Sequence, residues 1–339
     1  MAFITLDRKA FHHNLNMISK QLQSRDKIAL VLKDNAYGHG LKQIAQVASK
    51  YGVTRAVVRT IDEAEQVRDK FHYILVLADT PAVLMPAYCF TINAMEQIKS
   101  FPPGSRVELK VDTGMHRNGV PPHLLHHAFE KISKNGLKLE GVMTHHRSAD
   151  EMGSEYFWQR HTFESVKREA LMLAKRYGFS KLRFHSANSA ATFRSHEGHD
   201  DMVRVGIAAY GCLEMPEGLP QPDLLPILSL WGEKISQRRL NQGERVGYGG
   251  CFSADRQLQV SNYDVGYADG LLRTASNRYS APGGEKMLGR VSMDNCSFVG
   301  EADQLLIFND ARSYAHAAGT ISYEVLVGLD PRLPRKIIE

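Results

Sequence analysis

Five basic side chains in this sequence stand at the ends of short apolar, β-branched runs or just beyond them. They are Lys33 in VLKDNAYGHG, Arg117 in LKVDTGMHRNG, His145 in GVMTHHRSADE, His185 in RFHSANSAA and Arg204 in MVRVGIAAYG. Basic residues with a purely structural role would be scattered over both ends of such runs or lie on solvated helix faces. A lysine at the end of an interior strand is costly as a cation, so Lys33 is expected to be desolvated, which favours the neutral, nucleophilic amine that a Schiff base requires. Ser189, at the start of a helical pattern, and the VGI segment with Gly206 and Ile207 suit a phosphate, because backbone N–H groups at a helix start bind anions without a charged side chain.

Such residues act together only if a scaffold gathers the strand ends. Up to about residue 210 the chain repeats a short apolar run, a polar or glycine-bearing loop and a stretch of helical periodicity. Eight runs read as strands: 28–32, 56–58, 73–77, 88–92, 106–111, 139–144, 182–185 and 202–205. Between them lie helical patterns such as LKQIAQVASKYG, with Leu41, Ile44, Ala45 and Ala48 on one face and Gly52 as a stop. Eight alternating elements predict an α/β fold, a (β/α)8 TIM barrel, whose site lies at the C-terminal ends of the strands, with phosphate near the last two loops. Beyond Pro226 the segments ILSLWGEKISQ, QLQVSNYDVGYADG, MLGRVSMDNCSFVG and QLLIFND read as short strands between Gly, Asn and Asp turns. Four prolines from Pro216 to Pro226 oppose regular structure, so the expected division is a barrel over 1–224 and a smaller β-rich C-terminal domain over 225–339.

The 339 residues are 43% hydrophobic and 23% charged, with a mean hydropathy of −0.31, as in ordinary globular proteins. The net charge of +5 is spread without a basic stripe, which favours small anions such as phosphates or carboxylates over nucleic acid. The N-terminus has neither a basic n-region nor a long apolar run, and no stretch suits a membrane span, so a cytoplasmic location is expected. Cys89, Cys212, Cys251 and Cys296 are far apart and show no CxxC spacing, which implies free thiols. HLLHHAFE (123–130) lacks the HExxH pattern and HEGHDD (196–201) lies in a polar loop, so no metal is expected. Phe157 and Trp158 read as helix core.

KDNAYGHG (33–40), LKVDTGMHRNG (109–119), HSANSAA (185–191), VRVGIAAYG (203–211), VGYADG (265–270), GRVSMD (289–294) and SYE (322–324) follow one another in this chain. On these segments it resembles the alanine racemases, barrel-class (fold type III) pyridoxal-phosphate enzymes, over essentially its whole length. The resemblance implies pyridoxal 5′-phosphate as cofactor, an amino acid as substrate, a role in making D-alanine for the cell wall, and a homodimer in which the barrel of one subunit faces the β-domain of the other. It also implies that Lys33 carries the cofactor, that Tyr37, Ser189, Gly206, Ile207 and Tyr323 contact its phosphate, and that His185 belongs to the cofactor site. Arg204 would point at the pyridine nitrogen, where a cation weakens the ring as an electron sink and disfavours transamination and decarboxylation. Lys33 would serve one face of the substrate and Tyr267 of the partner subunit the other, with Tyr267 linked through His145 to Arg204. The substrate carboxylate would meet Arg117 and the backbone at Met293, with Lys110, unmodified or carbamylated, orienting Arg117. Asp150, Arg290 and Asp294 match positions at the substrate entrance.

Three sites depart from the family pattern. Asp34 stands where alanine is more usual and, by strand alternation, is expected to point away from the barrel centre. His116 replaces a glycine in the loop that presents Arg117, and His146 and Arg147 replace an aromatic and a small residue expected at the entrance. The rival readings are a racemase for serine or lysine, a barrel-class decarboxylase, and a non-catalytic pyridoxal-phosphate carrier, against which the long β-domain argues.

Overall fold

The structure, a computed structural model, describes residues 1–194 and 200–339. Alternation makes β1 (Phe3–Asp7) a half-buried strand with Ile4 and Leu6 inward. Asp7 then caps the helix Arg8–Leu22, its carboxylate accepting from the Ala10 N–H at 2.8 Å. The chain continues through β2 (Ile28–Val31), β3 (Arg55–Val58), β4 (Tyr73–Val76), β5 (Cys89–Ile92), β6 (Arg106–Lys110), β7 (Lys138–Met143), β8 (Arg183–His185) and β9 (Val203–Val205). All eight expected runs are strands, with small shifts at their ends. From β2 to β8 they pair in parallel in chain order, and β2 also pairs with β9. The N–H of Asp201 donates to Phe184 O and that of Arg204 to Ala187 O, both at 3.0 Å, so the sheet closes nearly to the ring of a TIM barrel.

Every residue of β2, β4 and β5 is buried, because helices cover the outside and side chains from facing strands fill the inside. The interior is apolar where Ala29, Val31, Val57, Leu75 and Met143 meet. It is polar where Glu108, Lys110, His185 and Arg204 are buried. In β6, Val107 and Leu109 join the outer core while Glu108 and Lys110 do not. The helix Leu41–Tyr51 buries Leu41, Ile44, Ala45 and Ala48, and Gly52 ends it at φ 99°, as expected. Phe157 and Trp158 correct the sequence reading. The helix Glu155–Tyr177 buries the stripe Tyr156, Phe163, Val166, Ala170 and Leu173, and leaves Phe157 and Trp158 57% and 66% exposed, off its helical repeat.

No regular element lies between Val205 and Leu228. β10 (Leu228–Leu240) then runs antiparallel to β1, with Ile4 opposite Leu230, and to the strands Leu258–Tyr263 and Gln304–Phe308. β1 also pairs in parallel with Arg335–Ile338. The first strand, counted with the barrel in the sequence reading of 1–224, therefore sits in the C-terminal sheet. Its local pattern identifies a strand but carries no information about the partner strand. The helices Ala311–Ala318 and Ser322–Val327 bring 320–327 to the C-terminal mouth of the barrel. No helix among the described residues is long and apolar enough to cross a membrane.

Candidate active site

A cavity of about 980 Å³ opens at the C-terminal ends of the barrel strands. It gathers Lys33, Tyr37, Lys110, Arg117 and His145 with Ser189, Arg204, Gly206, Ile207 and Tyr323. Lys33 is less buried than expected. β2 ends at Val31, so Lys33 lies in the following turn with its side chain 38% exposed and its Nζ 3.6 Å from an Asp34 carboxylate oxygen.

That turn is left-handed over four consecutive non-glycine residues, Asp34, Asn35, Ala36 and Tyr37, with φ from 53° to 55°. The conformation costs roughly 1–2 kcal/mol per residue for L side chains, with Asp and Asn tolerating it best. Local bonds offset the cost. Glu63 Oε1 accepts from the Asp34 N–H at 2.7 Å and Asn35 Oδ1 from the Leu41 N–H at 2.9 Å. Nδ1–H of buried His39 donates to the carbonyls of Ala36 and Tyr37 at 3.0 and 2.9 Å, and its ring stacks on Tyr210 at 4.4 Å. Burial lowers the His39 pKa to about 4 against the pull of those carbonyls, so the ring stays neutral. The turn also corrects Asp34. Strand alternation does not extend into it, and the Asp34 carboxylate lines the cavity, 3.1 Å from Arg59 Nη1.

The C-terminal segment locks the turn. Arg335 donates to Gly38 O at 2.9 and 2.8 Å, and a Cβ on Gly38, at φ +77°, would lie 1.9 Å from the Leu326 carbonyl oxygen. Gly38→Ala is therefore expected to destabilise the fold by roughly 3 kcal/mol. Denaturant unfolding checks this, and a midpoint equal to that of the parent protein would contradict it.

The turn carries the Tyr37 hydroxyl against Gly206, where a Cβ would lie 2.6 Å from it, so only glycine leaves that space. Burial raises the Tyr37 phenol above the ordinary range and keeps it a protonated donor. Ser189 Oγ accepts from the N–H groups of Gly206 at 3.1 Å and Ala208 at 3.2 Å, and the Tyr323 ring lies 5.9 Å from that of Tyr37. Hydroxyls and backbone donors thus converge at one end of the cavity.

Arg204 forms the floor. It donates to Thr144 O at 2.7 Å and Ser186 O at 3.1 Å, and its Nη2 lies 3.3 Å from His145 Nδ1. Burial lowers it to about 10, so it remains a cation at neutral pH. Burial and the cations Arg204, Lys110 and Arg117 hold His145 well below the usual histidine range. Lys110, buried beside Arg117 and Arg204, is lowered to about 8, chiefly by desolvation.

Arg117 extends from a loop organised by Asp112, which accepts from the N–H groups of Gly114 and His116 at 3.0 Å each. His116 has φ 53°, which explains the glycine more usual there, and its ring lies 3.4 Å from the Asp112 carboxylate. The expectation that His146 and Arg147 shape the entrance is not met. His146 is buried edge-on against Tyr156, because the chain turns its side chain toward the long helix. Arg147 points outward, bonded to Gly114 O at 3.0 Å and to Glu155, and so braces the Arg117 loop.

Tyr267 and Met293 do not reach the cavity of their own chain. They sit together on the C-terminal domain, where Ser292 O accepts from the Tyr267 N–H at 3.0 Å and Met293 O from the Ala268 N–H at 2.9 Å, and they are 44% and 54% exposed. Asp150 lines the cavity, whereas Arg290 borders a smaller hollow of the C-terminal domain. Sequence reasoning missed Asn93 and the wall from Thr320 to Val327, of which only SYE was singled out, and gave Asn188, within HSANSAA, no role. It also missed Glu108 beneath the floor, whose signal in the sequence was an acid between the apolar Val107 and Leu109 of a strand. Among the described residues no cluster of three or more His, Cys, Asp or Glu could hold a metal ion, and 196–199 of HEGHDD lie outside them.

A (β/α)8 barrel with a β-rich C-terminal domain, a lysine at the strand ends and a buried arginine floor defines a class of barrel enzyme. The models of the alanine racemase N-terminal and C-terminal domains match residues 6–214 and 227–337. The chain is 46% identical to the alanine racemase of a Nitratiruptor species and 41% identical to that of Campylobacter curvus, over the whole of each chain. Among solved structures it is similar to alanine racemases from Streptomyces lavendulae (TM-score 0.86, 27% identity, all of this chain and 97% of that one) and Bacillus anthracis (TM-score 0.83, 28% identity, all of this chain and 95% of that one). The chain belongs to the alanine racemase family and is an isomerase.

Proposed function

We propose that this protein interconverts L-alanine and D-alanine with pyridoxal 5′-phosphate held in the cavity, as a cytoplasmic homodimer that supplies D-alanine for cell wall synthesis. The observation that carries the reading is one cavity that holds the Lys33 amine, the Arg204 cation and a converging set of donors at Tyr37, Ser189 and Gly206. Those donors, with Ile207 and Tyr323, fit a phosphate; Arg204, backed by His185, fits the ring nitrogen; and Lys33 fits the aldehyde. When bound, the cofactor supplies an electron sink that acidifies the Cα hydrogen of an attached amino acid. Arg204 disfavours proton uptake at the ring nitrogen and so keeps that sink weak, which suits racemisation better than decarboxylation.

Racemisation requires a proton to leave one face of Cα and another to arrive on the opposite face. Lys33 Nζ serves one face. Tyr267 of the partner subunit serves the other, and the exposure of Tyr267 and Met293, which sit together on the C-terminal domain, supports a face that a second copy covers. Nearby positive charge favours a tyrosine acting as a base, and the Arg204 cation, in contact with the neutral His145, supports that role. Arg117 and the backbone at Met293 of the partner subunit hold the substrate carboxylate.

Incubation with L-alanine in deuterium oxide is expected to yield D-alanine with deuterium at Cα and no carbon dioxide. Carbon dioxide as the main product would make the enzyme a decarboxylase, and faster turnover of serine or lysine would move the substrate assignment.

Lys110 is read as a carbamate, its nitrogen bonded to carbon dioxide with release of one proton. The resulting anion would lie between Arg117 and Arg204, and the reactive form is the neutral amine, whose fraction grows as pH rises through about 8. With isotope-labelled bicarbonate, a carbamate carbon resonance is expected to strengthen across that range and to vanish in Lys110→Ala, with KM for alanine raised about tenfold. No labelled carbamate above that pH would exclude the modification.

A further inference from the structure

Beneath the cavity floor a buried chain of side chains ends on a residue outside the cavity lining. Arg204 Nη1 lies 2.5 Å from His185 Nδ1, and His185 Nε2 meets a carboxylate oxygen of Glu108. His185 and Glu108 are both fully buried. The Arg204 guanidinium offers donors only and the ionised Glu108 carboxylate acceptors only, so together they put the lone pair on Nδ1 and the single ring proton on Nε2, donated to Glu108. The other Glu108 oxygen accepts from the Tyr73 hydroxyl at 2.8 Å and from Arg183 Nη1 at 2.7 Å, and the Arg183 guanidinium stacks over the Tyr73 ring at 4.1 Å. Burial opposes ionisation of Glu108, but His185, Arg183 and Tyr73 outweigh it and hold the carboxyl down to about 2. Burial lowers His185 in spite of that carboxylate, which favours a neutral ring beside a charged carboxylate.

We infer that Glu108 is a positioning residue that fixes the tautomer of His185 and thereby holds the Arg204 guanidinium at the cavity floor. Without an acceptor at 108 the imidazole proton is free to move to Nδ1, where it would face an N–H of Arg204, donor against donor. Arg204 would then lose a bond on its inner side and gain freedom on the side facing the cavity. Desolvating a carboxylate this deep is expensive, and an apolar set of similar volume in place of Glu108 and all its partners would serve stability as well, so the polar set is retained for what it positions. The functional consequence, control of the ring nitrogen through Arg204, rests on the cofactor reading above.

The tautomer is measurable without cofactor. In nitrogen-labelled histidine spectra of the cofactor-free protein, with His185 assigned by its loss in His185→Gln, Nε2 is expected to be protonated and Nδ1 bare from about pH 6 to about pH 9. A wild-type proton on Nδ1 overturns the inference, whether or not any variant folds. Glu108→Gln keeps an acceptor oxygen and should keep the tautomer, while Glu108→Leu should move the proton. The loaded protein supplies the second readout, leakage of L-alanine into pyruvate. In that reaction the amino group and two electrons pass from alanine to pyridoxal phosphate, which becomes pyridoxamine phosphate with no other reductant. Pyruvate formed per racemisation event should rise about tenfold in Glu108→Leu and stay near wild type in Glu108→Gln. Equal leakage in both variants would show that the acceptor at 108 does not govern Arg204. Failure of the wild-type protein to bind pyridoxal phosphate would overturn the cofactor reading alone, because the tautomer result decides the role of Glu108 independently.

Discussion

Lys33→Ala is expected to lower racemisation by at least about 10⁴-fold, because in the proposed function one nitrogen both carries the cofactor and moves a proton at Cα, and general base catalysis alone contributes up to about that factor. The geometry suits Lys33 to both proposed tasks. It stands at the cavity side of a turn held by Glu63, Asn35, His39 and Arg335, none of which lines the cavity. Lys110 also lines the cavity, but it is buried beside Arg117 and Arg204 and is in a poor position to substitute. Purified wild-type protein should be yellow with pyridoxal phosphate, and borohydride should fix the cofactor to the peptide bearing Lys33. Peptide mapping checks the assignment: label on Lys110 or any other lysine would refute it, as would a Lys33→Ala protein that still holds reducible cofactor. Gly38→Ala supplies a control, since it perturbs the same turn without removing the amine.

Mixing two inactive variants should restore activity. Lys33→Ala and Tyr267→Phe chains are each expected to lose nearly all racemisation as homodimers. Tyr267 is 44% exposed and outside the cavity of its own chain, so the reading places it over the Lys33 of the partner subunit. In a mixed dimer one site then lacks both residues and the other keeps both. Random assembly makes half the dimers mixed, each with one intact site, so activity should return to about a quarter of wild type. If Lys33 and Tyr267 of one chain served the same site, every site in the mixture would lack one base and activity would stay near zero. Chiral analysis of alanine turned over by the co-expressed, natively purified chains distinguishes the two outcomes.

The barrel strands, the helix Leu41–Tyr51 and the set of residues gathered at the strand ends are legible in the amino-acid order. Those features rest on local periodicity and on short motifs, and a strand end in a barrel faces the mouth whatever its neighbours are. Lys33 and Arg204 are legible as strand-end residues, and Ser189 and Gly206 as a helix start and a loop after the last two strands. Other features exist only once distant segments meet. β1 has the pattern of any half-buried strand, and only its pairing with β10 and Arg335–Ile338 puts it in the C-terminal sheet. The alternation of β2 would turn Asp34 outward, but the left-handed turn, held by Leu326 and Arg335 from the far end of the chain, rotates its carboxylate into the cavity. Phe157, an aromatic in a helix, looks like core until the buried stripe of Tyr156 and Phe163 leaves it outside. Glu108 is the plainest case: in the sequence it is one acid in RVELK, and its meaning depends on His185, Arg183 and Tyr73, contributed by β8 and β4. A buried charge is tolerable only where distant strands supply its partners, and no local pattern records which strands those are.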